Sequence, residues 1–388
     1  MSTRAELDRS FPWVPIVAAL MISAPCWFIP TTDIKGSYIP WLDHIATHGP
    51  AAFSKPFGDY SPPYYYLLAL LSSARGMIPD MAIIKLAAVL STGVLALAVW
   101  RLLESFGVAQ AKRFAAYMLL LPSIALNATL TGSCDALWAA AAVMGLVMAL
   151  SHRHAAMLIW CGIAFAIKAQ AIFAGPAILA LLISRRVPMH LWLLMPAAMF
   201  AMYVPAWALG WPLADLMTLY FRQAEVFHYL SLNAPNVWAP VQLFVDPRSA
   251  AAEKFATAVA LAATLGLVLM LMRKRIEGAT LLAATCLSVL IVAGLLPRMH
   301  ERYFYLVDVL AYAFAAISRT RGSWIAAALV QTGSTLAFAA YATNTPILAV
   351  IGALPMMATL VYFARICAAA PGRVEPLEAI PGGRLAPG

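Results

Sequence analysis

The chain has 388 residues, 63% of them hydrophobic and 11% charged, with a formal net charge of +9. Soluble domains carry about 25% charged residues, so this composition excludes an ordinary soluble enzyme. The excess Lys and Arg cluster at the ends of hydrophobic runs, which is a membrane-orientation pattern and not a nucleic-acid footprint.

In chain order, twelve runs approach the length that crosses a hydrocarbon layer of ~30 Å. Their expected limits are 12–30, 82–104, 113–128, 135–150, 155–168, 171–184, 190–209, 254–272, 278–296, 303–318, 324–342 and 346–364. The first is not a cleaved signal peptide, because it lacks a small-x-small site and ends in bulky CWFIP. Starting inside, the cytoplasmic joints hold Arg4, Arg9, Arg101, Lys112, Arg113, Arg153, Arg185, Arg186, Arg273, Lys274, Arg275, Arg319, Arg321, Arg365, Arg373 and Arg384. These are 16 of the 26 basic residues; the other ten are assigned to longer outer loops that also hold most of the acids. This bias predicts both termini in the cytoplasm. The expected setting is a bacterial inner membrane, with the chemistry facing the periplasm.

Residues 1–365 then read as one all-α transmembrane catalytic domain, and the Pro/Gly-rich 366–388 as a disordered cytoplasmic tail. The first outer loop, 31–81, contains two expected interfacial helices. Residues 37–48 place Tyr38, Trp41, Leu42 and Ile45 on one helical face and Asp43, His44 and Thr47 on the other. Residues 62–76 are apolar but too short to span, so they are expected to lie at the outer interface. A second long outer loop, 210–253, holds an amphipathic stretch around Leu216, Leu219, Tyr220 and Phe227, and the turn NAPN at 233–236. The five scattered cysteines lack CxxC spacing and read as packing residues.

Several polar residues stand out against this apolar background. Asp33 follows the first span directly, where a carboxylate can act as general base or simply end a helix in water. Asp59 lies in GDYSPP, whose prolines stiffen the backbone around it; capping the following helix is the plainer reading. Asp135 ends the loop string NATLTGSCD, either as a polar wall of a site or as a helix cap. Lys168 lies between two short spans of which the first, fourteen residues of helix, rises only ~21 Å. It is expected below the outer surface, facing a wet cavity, to hold a phosphate or to pair with Asp135 or Asp308. The string PRMHERYFY supplies Arg298, His300 and Arg302, three donors able to grip a phosphate, or an interfacial belt. Glu301, Tyr305 and Asp308 share one helical face, expected to line the cavity. Walker, GxGxxG, HExxH and nucleophile-elbow motifs are absent from the sequence.

The order of these strings resembles the GT-C superfamily. It runs from an Asp after the first span to D-Y-x-P-P, an Asp-bearing loop, K-x-Q and finally H-E-R-Y. These are polytopic glycosyltransferases that take sugar from a polyprenyl phosphate. The chain is most similar in this respect to the dolichyl-phosphate-glucose-dependent glucosyltransferases of the N-glycan pathway and to bacterial mannosyltransferase-like relatives. The likeness covers roughly residues 10–310, and the last two spans carry no signature. It implies Asp33 and Asp59 as catalytic residues, Asp33 as the base, with Asp59 and Tyr60 in the second string of the same loop. It implies His300, Arg302, Arg298 and Lys168 at donor phosphate, and Tyr60, Asp135, Gln170, Glu301 and Tyr303 at substrate. Ala169 replaces the Pro of the K-P-Q string, and GSCD stands where relatives often read WGQxD. The implied partners are a polyprenyl-phosphate sugar donor, a lipid-linked or surface glycan acceptor and membrane lipids, with no nucleic acid. The implied chemistry requires no cofactor and leaves room for a divalent metal. The rival expectations are a transporter or flippase of lipid-linked saccharides, with Lys168 and Asp308 as coupling charges, and an envelope polysaccharide polymerase.

Overall fold

The computed structural model describes residues 11–226 and 228–372. Arg4, Arg9, Phe227, Arg373, Arg384 and most of the expected tail therefore lie outside the described residues. The described residues are all-α apart from one two-residue strand pair. Among the described residues, five helical segments are long and apolar enough to cross a membrane: Asp80–Ser105, Met189–Ala208, Ala250–Met272, Arg321–Thr343 and Ile347–Ala369. Six shorter apolar segments accompany them: Trp13–Phe28, Asp135–Leu150, His154–Ile167, Ala169–Ser184, Ala279–Leu295 and Tyr305–Ser318.

Eleven of the twelve expected runs fall on these segments. The exception is 113–128, which is broken into α5 (Ala111–Met118) and α6 (Pro122–Thr129). Pro122 cannot continue a helix from Leu121, which is extended, and three tight turns with i→i+3 bonds fill the gap. The expected tail boundary at 366 is also corrected. The last helix, α18 (Ile347–Ala369), keeps its hydrogen bonding three residues further, to Ala369.

Within the first segment, α1 (Trp13–Ser23) tightens into a 3-10 turn, Ala24–Phe28. The first loop then forms a π-helical turn, Ile34–Tyr38, and α2 (Ile39–His48). The face predicted from periodicity is the buried one: Tyr38, Trp41, Leu42 and Ile45 are all packed inside, while Asp43 and Thr47 are exposed. The stretch 62–76 is α3 (Pro62–Leu71) followed by a 3-10 turn. Tyr64, Tyr65 and Leu68 of α3 join α2 and Trp211 in an aromatic cluster. α4 (Asp80–Ser105) packs on α7 (Asp135–Leu150), which packs on α8 (His154–Ile167). α9 (Gly175–Ser184), α10 (Met189–Trp192) and α11 (Leu194–Ala208) follow, with α11 against α8. α17 (Arg321–Thr343) and α18 approach closely where Gly333 and Gly352 face each other. A Cβ on either glycine would sit 2.9 Å from the other's carbonyl oxygen, so only glycine permits the contact.

Lys85 falls inside the expected run 82–104, although the charge count assigns it to the outer loops. It sits within α4, fully buried, and its Nζ donates to the carbonyls of Cys26, Trp27 and Ile29 at 2.6, 3.0 and 2.8 Å. They lie at the end of the 3-10 turn that closes the first segment, where Cys26 O also accepts from Ile29 N–H, and a cation suits a helix C-terminus. The clamp fixes the exit of the first segment four residues before Asp33. Lys85→Met should lower the thermal unfolding temperature in detergent, at about 1–3 kcal/mol for each buried carbonyl left without a donor. Lys85→Arg should retain most of the stability, and unchanged melting of the Met variant would mean that other donors serve those carbonyls.

The second long loop is built as a cap. α12 (Leu213–Ala224) buries Leu216 and Leu219. Beyond it, the strand β1 (Ser231–Leu232) pairs in parallel with β2 (Met299–His300), in the register Ser231 to Met299 and Leu232 to His300. The NAPN turn uses the left-handed backbone of Asn233. It leads into α13 (Trp238–Val241), ahead of α14 (Ala250–Met272). Val237 N–H, Trp238 Nε1 and Asn236 Nδ2 donate to the carbonyls of Gly294, Leu295 and Leu296, at 3.1, 2.6 and 3.4 Å. They thereby satisfy the open end of α15 (Ala279–Leu295). The loop thus holds the string PRMHERYFY in place between α15 and α16 (Tyr305–Ser318).

Candidate functional site

Four strings that are distant in sequence meet in one cavity of about 160 Å3, lined among others by Asp33, Asp59, Tyr60, Lys168, His300 and Arg302. Asp33 follows α1 at the entry to the π-helical turn. Its carboxylate accepts from Arg302 NH1 at 2.8 Å, across 269 residues of sequence. Its backbone N–H points to the Tyr341 hydroxyl at 3.4 Å, so α17 reaches the site although its sequence carried no signature. The same Arg302 nitrogen donates to Glu301 at 2.8 Å, while Arg302 Nε is buried without a partner among the described residues.

The second half of the cavity wall is built around a buried ion pair. Lys168 Nζ lies 2.5 Å from Asp135 Oδ1 and 3.2 Å from the Tyr60 hydroxyl, with side-chain exposures of 9% for Lys168 and 2% for Asp135. Asp135 also accepts from Asn127 Nδ2 at 2.8 Å, Ser133 Oγ at 2.9 Å and Trp138 Nε1 at 3.0 Å. Four donors saturate this carboxylate, so Asp135 holds Lys168 and is poorly placed to bind substrate itself. Of the two partners expected for Lys168, Asp135 is the one found.

Lys168 is presented by the frayed end of α8, where the chain turns extended. Hydroxyls satisfy the last carbonyls of that helix. Ser61 Oγ donates to Ile167 O at 2.6 Å, Tyr220 OH to Phe165 O at 2.5 Å and Tyr203 OH to Ala166 O at 3.2 Å. The Tyr60 and Tyr38 hydroxyls are 2.9 Å apart, and burial pushes both phenols well above their ordinary range, so each keeps its proton. Gly58 passes so close to Trp41 that a Cβ would lie 2.3 Å from the indole nitrogen, which makes glycine obligatory before Asp59. Asp59 itself is exposed at the cavity mouth and takes part in none of these ion pairs.

Other expected residues are placed differently. Arg298 does not join Arg302. It turns to Glu253, to the Ala224 carbonyl and to His228 Nδ1 at 2.9 Å, and lines a second cavity of about 370 Å3. Its own left-handed backbone, φ 64°, separates its direction from that of Arg302. Gln170 and Tyr303 line both cavities. The face expected from Glu301, Tyr305 and Asp308 is not a cavity wall. Glu301 contacts Arg302, whereas Tyr305 and Asp308 are buried among α4, α6 and α17, Asp308 beside Ser123 and Ser334. Sequence reading missed Lys85, Ser61, Tyr220 and Tyr341. Lys85 alone carried a signal, as a lone charge inside an apolar run. The hydroxyls looked like ordinary interfacial residues. All five cysteines are unpaired.

His300 is neutral at physiological pH. Burial, then the neighbouring Arg302 charge, brings its pKa from 6.5 down to about 3. Its 3.9 Å approach to Glu301 is accordingly not an ion pair. A His with a lowered folded pKa contributes stability that is present above the unfolded value of about 6.5 and lost as pH falls toward 3. The difference in melting temperature between His300→Gln and the parent should therefore shift in favour of the Gln variant as pH falls from 7 to 4. A pH-independent difference would place a charged imidazole in the folded protein.

Among the described residues, no group of three or more His, Cys, Asp or Glu side chains is placed to hold a metal ion. A scan against models of protein families finds no match, and a search of curated proteins finds no similar sequence. The class that the fold defines is therefore the coarse one: an all-α protein whose apolar helices suit a membrane.

Proposed function

We propose that the chain is an integral-membrane glycosyltransferase of GT-C type. It would move a hexose from a polyprenyl-phosphate donor to an acceptor hydroxyl at the outer face of the membrane. The observation that carries this reading is the contact of Arg302 with Asp33, with Lys168 and Tyr60 in the same cavity. A carboxylate base candidate thus faces two cations suited to a phosphate. The reading takes all twelve runs as crossings, the short helices included.

In this mechanism the acceptor oxygen attacks the anomeric carbon as its proton passes to the Asp33 carboxylate. The bond from that carbon to the phosphate oxygen breaks with inversion, and the polyprenyl phosphate leaves with the electron pair. Arg302 and Lys168 meet its charge in a partly dry site, where such contacts are strong. A phosphate leaving group needs no added proton, which fits a site where the accessible carboxylates Asp33 and Asp59 share a cavity with buried cations. His300, neutral, can donate or accept one hydrogen bond but adds no charge. Asp59, at the mouth, is placed for acceptor or sugar hydroxyls.

The transporter reading draws on Lys168 and Asp308 as coupled charges. Lys168 pairs instead with Asp135, and Asp308 sits in a separate cluster with Ser123 and Ser334.

The test is transfer by the purified protein with a panel of short-chain polyprenyl-phosphate monosaccharides and a crude envelope lipid acceptor. Sugar transfer from one donor establishes the class and names the sugar. Intact protein that neither transfers from nor binds any donor refutes it. Orientation is checked separately: a cysteine placed at exposed Lys55 should react with a membrane-impermeant thiol reagent added from outside intact spheroplasts. Labelling solely after lysis would reverse the assignment.

A further inference from the structure

A cavity of about 660 Å3 takes no part in the mechanism above. It lies between α1 on one side and α4, α5 and α6 on the other. Its walls stand apart because facing positions are small: Ala19, Gly93, Ala96, Ala116, Ala125 and Ala128. A Cβ on Gly93 would meet nothing within 4 Å. Leu90, Val94 and Leu97 of α4 line the cavity and are 52%, 48% and 58% exposed, so a ligand can touch them directly. α1 buries only Pro15 and Ser23, so the first segment leans over this space without filling it.

The cavity runs along α4 from Val89 to Trp100. That helical rise is about 16 Å, close to one half of a hydrocarbon layer of ~30 Å. The hydroxyls along it are turned away from a ligand. Ser23, Thr92 and Thr129 each donate to a carbonyl of their own helix, of Ala19, Ala88 and Ala125, at 2.7, 2.9 and 2.7 Å. The mouth is different. There Lys112 Nζ and Arg101 Cζ lie 4.9 and 4.7 Å from the centre of the Trp100 indole, and Trp is a usual marker of the membrane boundary. Arg101 pairs with Glu104. Lys112 and the neighbouring Arg113 form no ion pair among the described residues, and no carboxylate belongs to the lining.

We propose that this cavity binds one anionic phospholipid, with an acyl chain along α4 and the phosphate at Lys112 and Arg113. A long apolar space without free polar groups selects a hydrocarbon chain. Unpaired cations at its mouth select an anionic head, as Lys and Arg beside a membrane span do. Residues 1–10 continue from the rim at Phe11, but they carry Arg4, Glu6, Asp8 and Arg9, charges that an apolar groove would strand. The donor of the proposed reaction is also an anionic lipid, but its phosphate is assigned to the separate cavity of Arg302 and Lys168. The bound phospholipid joins α1, which leads into Asp33, to α6, whose Asn127 supports Asp135. Its binding does not depend on the transferase reading, and the orientation given above assigns it to the cytoplasmic leaflet.

The experiment is photolabelling of the full-length protein in detergent, using a phosphatidylglycerol that carries a diazirine in its acyl chain. Labelled peptides should map to residues 11–23, 89–100 or 112–129. Excess plain phosphatidylglycerol should displace this label, and phosphatidylcholine with the same chains should not. Lys112→Gln should lower labelling of those peptides at least fivefold. Gly93→Phe should abolish it, because the ring enters open space, and Gly93→Leu serves as a second variant if the Phe form does not fold. Label on α14, whose Leu261 and Leu265 face outward, should change in none of these variants. Cavity label that follows the α14 label throughout makes the contact ordinary bulk lipid and overturns the proposal. Equal displacement by phosphatidylcholine overturns it too, since the head is then not recognised. Stronger displacement by sugar-free polyprenyl phosphate would give the cavity to the tail of the donor, and a dimer that Gly93→Phe dissociates would give it to a second copy of the chain.

Discussion

Asp33→Asn should lower sugar transfer by about 10²–10⁴-fold, the usual contribution of a general base, with little change in thermal stability. The substitution keeps the shape of the side chain and one oxygen for Arg302, so the contact that ties the first loop to the HERY string survives in weakened form. What it removes is the ability to take a proton. Glu301 is not a substitute base, because it is nearly inaccessible, with 2% of its side chain exposed against 27% for Asp33. The Asp33–Arg302 contact adds a second expectation. Arg302 spends one nitrogen on two carboxylates, and a donor phosphate must compete with Asp33 for it. Arrival of the phosphate would loosen the hold on Asp33 and free its carboxylate for the acceptor. Turnover of Asp33→Asn near that of the parent, measured at saturating donor, would remove Asp33 from the mechanism.

Much of the architecture was legible because membrane helices announce themselves by length and apolarity. The run at 113–128 was misjudged because hydropathy does not register a proline that breaks a helix in the middle of an apolar stretch. The buried face of α2 was legible, since period 3.6 fixes which side chains share a face. The site was legible in part. Asp33, Lys168 and Arg302 stood out as polar residues at span ends and Tyr60 as part of the GDYSPP string, and they do share a cavity. Arg298 was misplaced beside Arg302 because spacing along a string says nothing about a left-handed residue that turns one side chain away. Tyr305 and Asp308 were misread because helical periodicity identifies a face but not what packs on it. The hydroxyls of Ser61 and Tyr220 were invisible, because their role is to satisfy carbonyls at a helix end whose exact place no sequence pattern gives.

Asp135→Ala should be the most destabilising single change in the site. It leaves Lys168 buried and uncompensated, and breaking one side of a buried pair typically costs about 3–5 kcal/mol. It also strands Asn127, Ser133 and the Trp138 indole, which together with Lys168 supply the four hydrogen bonds of that carboxylate. Adding Lys168→Met to Asp135→Ala should recover part of the loss, since removal of both charges leaves no unpaired ion in the wall. The double variant should nonetheless stay inactive, because the cation that faces Tyr60 and the cavity is gone. Thermal unfolding of the three variants in detergent, read beside donor transfer, separates the two roles. A double variant that regains stability but not transfer assigns Lys168 to the chemistry and Asp135 to its support. If Asp135→Ala melts with the parent, water reaches Lys168 freely, and the pair is a surface contact worth little. If the double variant transfers normally, Arg302 alone meets the phosphate, and the Lys168–Asp135 pair serves only to join α7 to the end of α8.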